Sequence, residues 1–404
     1  MKFSKLSQLF LVSSIGLLVA TLLTACQIVT IDYLFVAGSA GSGTGSDGQI
    51  QTFAVDSESG ALRIGAATVS SGGISPVALA VSSNYANLYV ANQASNSIVH
   101  FAIANNGVLT QKDVATISSA PISMAVNAAG TYLYVVSGLS GGSVSAISLG
   151  STGTLGSTVA TLPLALASNP GDTLVPTGVT VLANNAAVYV TAYDQAAYNP
   201  GGTTTSTANP GWVFGYTVNS DGSLTTSSGS PWKAGVKPTS VAADPTNRFV
   251  YITDYASNQL IGYTIQGGSS LNFLINGPFR TGNEPSAIVI DPRGKYIYVS
   301  NALDSSVSAY VIDLTTGTPS SAVNTTGSSS NTTDTQPVAI TIDPALGRFI
   351  YTANHLGNSV SGFRLDPNVG TLTATQATPY PSVAQPTAVA SVPHGNHSLQ
   401  TVTP

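Results

Sequence analysis

Charge is what this sequence has least of. Only 7% of its 404 residues are Asp, Glu, Lys or Arg, against about 25% in an ordinary soluble protein. There are four histidines, two tryptophans and one cysteine. A single thiol excludes an intramolecular disulfide and any multi-cysteine metal site, so stability has to come from packing. After residue 26 no apolar run approaches the ~20 residues of a membrane helix. Helical periodicity is also missing beyond that point, and neither a phosphate-cradling loop nor a nucleophile elbow is present. The glycines at 38, 41, 43 and 45 join two strands, with no helix to receive a phosphate. Nothing in the sequence calls for a cofactor or offers metal-ligand spacing. The formal net charge is -5, from 12 basic and 17 acidic residues, which argues against nucleic acid as a partner.

What is abundant is Gly (40 residues), with Ser, Thr and Asn, a profile suited to short strands joined by tight turns. The N-terminus stands apart from this. Lys2 and Lys5 are followed by the apolar stretch Leu9 to Leu23, and small residues lead to Leu23-Thr24-Ala25-Cys26, the order of a secretion signal. This ending resembles the bacterial lipobox. The resemblance implies that residues 1–25 are a lipoprotein signal peptide and that the thiol of Cys26 is acylated and becomes the new N-terminus. Acyl chains at ~0.8 kcal/mol per buried CH₂ would anchor the mature protein in the envelope, periplasmic or surface-exposed. Residues 26–32 then form a short tether.

The rest of the chain repeats. One strand element occurs seven times, centred on Phe53, Phe101, Ile147, Tyr216, Tyr263, Tyr310 and Phe363. The spacing is near 47 residues with one large insertion, the period of a four-stranded propeller blade. About a dozen residues before most copies comes an aromatic–β-branched strand such as Tyr89-Val90, Tyr134-Val135 or Tyr298-Val299, preceded by a strand opening at proline: Pro76, Pro121, Pro176, Pro238, Pro285, Pro337 and Pro386. Proline suits a strand's first residue, where no ladder donor is lost. The phase of the repeat predicts the closure. The mature chain begins in a second strand at Tyr33 to Val36 and ends with a spare inner strand at Pro386 to Ala390, so the last strand completes the first blade. The prediction is an all-β, seven-bladed β-propeller over residues 33–393, a single monomeric domain, followed by a tail at 394–404.

The elements Leu88-Tyr89-Val90-Ala91-Asn92, Tyr298-Val299-Ser300-Asn301 and Tyr351-Thr352-Ala353-Asn354 resemble the YVTN family of propeller repeats. The opening from Tyr33 to Leu62 is similar to lactonase-type propellers related to 6-phosphogluconolactonase and carboxymuconate-lactonising enzymes. That resemblance implies the same fold and, for activity, a His-rich run and a Pro-Arg-His element ahead of inner strands. Here the corresponding segments read Ser75-Pro76-Val77-Ala78, Lys237-Pro238-Thr239-Ser240 and Glu284-Pro285-Ser286-Ala287, without imidazole or guanidinium. Of the histidines, His100 falls inside a predicted strand, His394 and His397 fall in the tail, and only His355 follows a second strand.

Sorting the connections by face places the long insertions at 162–175, 192–211 and 324–336 together on one face. Loops free to lengthen on a rigid scaffold commonly carry function. Tyr193, Asp194, Tyr198 and Trp212 edge the second insertion, groups suited to stacking on a sugar or gripping a protein. Lys237 and Glu284 are the only charged residues preceding inner-strand prolines, on neighbouring blades, placed to pair with each other or to polarise a ligand. Asp254, Arg280 and His355 lie on the same face. With so few groups for acid–base chemistry, the expectation is a membrane-anchored, non-catalytic module that binds an envelope protein or glycan at these residues. The alternative is a divergent sugar-lactone hydrolase.

Overall fold

A computed structural model describes residues 29–39, 46–167, 171–198, 210–323 and 327–404. The signal segment and Cys26 lie outside the described residues, as does most of the second insertion.

Seven antiparallel sheets form a ring. Blade 2 shows the plan: an inner strand Pro76–Val81, then Asn87–Asn92, Ser97–Ile103 and an outer strand Leu109–Thr116. The second strands are buried along almost their whole length because their odd and even side chains face the two neighbouring blades, which explains the continuous apolar runs Leu88-Tyr89-Val90-Ala91 and Phe349-Ile350-Tyr351. The core is therefore divided among the seams between blades. Seven apolar clusters are found, one per seam; that between blades 5 and 6 joins Phe249, Tyr251 and Leu260 to Ile288, Ile297, Val299 and Tyr310.

The ring closes as the repeat phase requires. Pro386–Pro393 pairs with Thr30–Gly38, matching Asp32 with Pro393, Phe35 with Ala390 and Ala37 with Ala388. Two sets of hydrogen bonds lace the blades together. Buried tyrosines of the second strands each donate to a carbonyl in the outer turn of the following blade: Tyr89 to Gly153 (2.6 Å), Tyr189 to Ser269 (2.9 Å), Tyr251 to Gly317 (2.6 Å), Tyr298 to Gly370 (2.8 Å) and, across the closing seam, Tyr351 to Gly60 (2.7 Å). Nearer the axis, hydroxyls that follow the inner-strand prolines donate to the next blade's proline carbonyl: Thr239 to Pro285 (2.7 Å), Ser286 to Pro337 (2.6 Å) and Thr387 to Pro76 (2.6 Å).

Three details depart from the sequence reading. The inner strand of blade 4 runs Leu174–Val181, beginning two residues before Pro176. Its proline, like those of the other blades, sits at a register shift such as Pro76/Ala78 or Pro285/Ala287, so a bulge as well as strand position accommodates the missing donor. In blades 4 to 7 the outer strand is broken in two, the second piece being Trp232–Lys233, Phe279–Arg280, Ser330–Thr332 or Tyr380–Pro381. One of these pieces falls within the insertion 324–336. Finally, Gly395–Leu399 in the tail forms a 3₁₀ turn with His397 buried. No helix among the described residues is long and apolar enough to cross a membrane.

Candidate functional site at the channel mouth

The residues just before the inner-strand prolines ring the mouth of the central channel on the face of the long insertions. Proline disfavours the helical region for its predecessor and pushes it toward extended backbone. Four predecessors nevertheless adopt the left-handed region: Ser75 (φ 59°), Glu284 (54°), Gln336 (59°) and Gln385 (44°). What holds them there is a pair of clamps. The Glu284 N–H donates to the side-chain oxygen of Asn258 in blade 5 (2.8 Å), and its carbonyl accepts from Ala302 N–H in blade 6 (2.8 Å). Gln385 is clamped in the same way by Asn358 (2.7 Å). Strain kept in place by such redundancy fixes the side chain's direction.

Lys237 occupies this position in blade 5. Its backbone N–H donates to Asp254 Oδ1 (2.8 Å), while Asp254 Oδ2 accepts from Val236 N–H (2.9 Å) and Gln259 Nε2 (2.9 Å). Asp254 is fully buried. Its carboxylate is thus spent on holding the loop, and it positions Lys237 without facing a ligand. Asp194 serves blade 4 similarly, accepting from Ala196 N–H (2.9 Å) and, through its carbonyl, from Tyr198 N–H (3.0 Å).

Around the Lys237 ammonium stand three rings, with Nζ 4.6 Å from the centroid of Tyr255, 5.1 Å from Tyr198 and 5.8 Å from Tyr193. Tyr193 and Tyr198 meet edge to face at 5.5 Å. Burial, helped by the neighbouring Glu284 carboxylate, pushes the Tyr255 hydroxyl up to about 12. Partial burial lowers the Lys237 ammonium from its usual value, opposed by the charge of Glu284. Lys237 and Glu284 form no contact ion pair, although the carboxylate is near enough for its charge to act on the ammonium. A half-buried cation, a carboxylate and a phenol thus converge inside aromatic walls, where cation–π attraction and stacking are both available.

The structure brings together Tyr193, Tyr198, Lys237 and Glu284, with Asp194 and Asp254 as their supports. Trp212, Arg280 and His355 lie elsewhere. Trp212 carries the Lys233 ammonium 3.5 Å over its ring, on the broken outer part of blade 4. Arg280 is exposed on the outer edge of blade 5, opposite Gln259. His355, in blade 7, has Nδ1 3.2 Å from the carbonyl of Pro386 on the inner strand of blade 1. Tyr255 was missed by sequence reasoning although a signal existed: it follows its second strand at the repeat position that made His355 a candidate. His100, as its place in a strand predicted, is an internal group, bonded at 2.8 Å to both Asp113 and the Asn87 amide.

These features define a seven-bladed β-propeller with one polar cluster at the axial mouth of the face that carries the long loops. The chain belongs to the lactonase family: the family model described as "Lactonase, 7-bladed beta-propeller" matches residues 47–169 and 273–391, more than half of the chain. The interval left between the two matched segments contains Tyr193, Tyr198, Lys237 and Tyr255. No curated protein matches the chain. Among solved structures, a periplasmic gluconolactonase of Pseudomonas aeruginosa is similar at 17% identity and a TM-score of 0.71, covering 90% of this chain and 99% of that one. A candidate 6-phosphogluconolactonase of Bacteroides fragilis is similar at 18% identity and a TM-score of 0.70, covering 91% and 99%.

Proposed function

We propose that the protein is an envelope lactonase that opens a sugar lactone at the mouth of its channel. The observation that carries this reading is the convergence of Lys237, Glu284 and Tyr255 inside the walls formed by Tyr193 and Tyr198, together with membership of the lactonase family. It displaces the expectation of a non-catalytic module, which rested on the lack of groups for acid–base chemistry. Ring opening needs a base for the attacking water and a cation or donor for the developing oxyanion. Glu284 supplies the carboxylate base, the Lys237 ammonium faces the oxyanion, and Tyr255 is the proton source for the departing ring oxygen. The tyrosine walls stack on the apolar face of the sugar ring.

The test is turnover of a panel of sugar lactones, 6-phosphogluconolactone included, by the purified full chain and by a Lys237→Ala, Glu284→Ala double variant. Turnover above background that falls about 100-fold or more in the variant is the expected result, in line with loss of one transition-state partner. Absence of turnover on the whole panel, or turnover indifferent to the double change, would overturn the reading.

The same proposal places the propeller on a membrane through Cys26. It is supported by the Lys-rich start, the apolar stretch and Leu23-Thr24-Ala25-Cys26. Metabolic labelling with a fatty acid should mark the wild-type protein and leave Cys26→Ser unlabelled; label retained by that variant would refute the anchor.

A further inference from the structure

On the face opposite the candidate site, the turns between first and second strands are built on aspartates. Asp244 Oδ1 accepts from Arg248 N–H and Phe249 N–H (2.7 Å each), and Asp291 Oδ1 accepts from Lys295 N–H and Tyr296 N–H (2.8 Å each). Asp343 is the equivalent in blade 7, accepting from Ala345 N–H (2.9 Å) and Arg348 N–H (3.2 Å). It differs in what else reaches it. His397, carried in by the 3₁₀ turn of the tail, places Nε2 3.1 Å from Asp343 Oδ1, 3.2 Å from Oδ2 and 3.4 Å from Asp32 Oδ1. Asp32 lies at the start of the strand to which the closing strand pairs. It is 1% exposed, and neither of its carboxylate oxygens has a hydrogen-bond partner.

We propose that Asp32, Asp343 and His397 bind one divalent transition-metal ion, with Zn²⁺ as the best-fitting species, and that the ion pins the closure of the ring. Three observations support the assignment. The ligand atoms of the three residues lie within 4.8 Å of one another, and the two histidine–carboxylate separations near 3.1 and 3.4 Å match the edge of about 3.4 Å expected for a tetrahedron with Zn–N and Zn–O bonds near 2.1 Å. His397 Nδ1 is 3.0 Å from Gln400 Oε1. An amide oxygen only accepts, so the proton sits on Nδ1, and Nε2 is directed at the two carboxylates, the outer-shell arrangement that orients a metal-bound histidine. Two carboxylates buried side by side repel each other and lose hydration, and a doubly charged cation compensates both at once.

The ion would join three parts of the ring: the first described strand, blade 7 and the chain's C-terminal segment. That segment is already tied by His394 N–H to the Ile31 carbonyl (2.8 Å) and by Val402 N–H to the Ala345 carbonyl (3.2 Å). The site is remote from the channel mouth and independent of the lactonase proposal.

The experiment strips the purified full chain with a chelator and titrates it with Zn²⁺, reading stoichiometry by calorimetry and native mass spectrometry and stability by thermal unfolding. One equivalent should bind, and the melting temperature should rise with Zn²⁺ concentration because the ion binds the folded ring alone. Asp32→Asn and His397→Gln should each abolish that equivalent. Gln400→Ala keeps every ligand and the fold, and should weaken binding by about 10- to 100-fold. Failure of the stripped chain to bind Zn²⁺, the result expected if His397 instead bridges the carboxylates as an imidazolium, overturns the proposal. So does binding that survives His397→Gln undiminished.

Discussion

A chain stopped at Gln385 is expected to yield no soluble, cooperatively unfolding protein, whereas one stopped at His394 keeps the ring. The strand Pro386–Pro393 contributes Val389 to the apolar cluster at the seam of blades 7 and 1, and Ala388, Ala390 and Val392 to that of blades 1 and 2. Its loss exposes two seams and leaves Thr30–Gly38 as a bare strand edge on the channel wall, a template for aggregation. The last shared hydrogen bond of that region, Thr387 to the Pro76 carbonyl, goes with it. Soluble yield and the sharpness of the melting transition report the outcome. A cooperative transition at the wild-type temperature in the shorter chain would show that the closing strand is dispensable.

The second large effect is expected at a single methyl group. Gly317 turns the outer hairpin of blade 6 with φ 77°, and a Cβ there would lie 2.5 Å from the ring of Phe249 in blade 5. Gly317→Ala therefore pays about 1–2 kcal/mol for left-handed backbone and about 1–3 kcal/mol for overpacking a rigid aromatic wall. The Tyr251 hydroxyl, which donates to the Gly317 carbonyl at 2.6 Å, is disturbed as the turn shifts. Denaturant unfolding should show a loss of roughly 2–5 kcal/mol. Gly267→Ala is the control, since that glycine is also left-handed (φ 56°) but has nothing within 4 Å of its added Cβ. It should lose only the backbone part. Equal losses at the two positions would contradict the account of the seam.

The sequence made the ring legible because the features that build it recur. Tyr89, Tyr134, Tyr189, Tyr251, Tyr298 and Tyr351 occupy one position of the repeat and are all buried, and side-chain alternation with period 2 leaves little freedom in how such strands pair. The candidate site was only half legible because nothing in it recurs. Lys237 and Glu284 stood out as charged residues at a repeat position that is otherwise uncharged. That Tyr255, Tyr193 and Tyr198 would gather round the Lys237 ammonium depends on how neighbouring blades splay and how an insertion folds back. Trp212 and Arg280 share the face but lie out along the blades, and reading by face carries no radial coordinate. His397 was hidden for a related reason. A residue beyond the last repeat has no repeat position, so its burial between Asp32 and Asp343 followed from no periodicity.

The bond from Tyr351 to Gly60 spans 291 positions of the chain, and the pairing of Phe35 with Ala390 spans more. Folding speed falls as contacts become more distant in sequence, and these contacts lie at the far end of that scale. A chain delivered N-terminus first pairs its three opening strands with one another but holds them without their inner strand until Pro386–Pro393 arrives. For that interval Thr30–Gly38 is the open edge of a three-stranded blade, and the ring's permanence once shut is matched by its exposure while it waits.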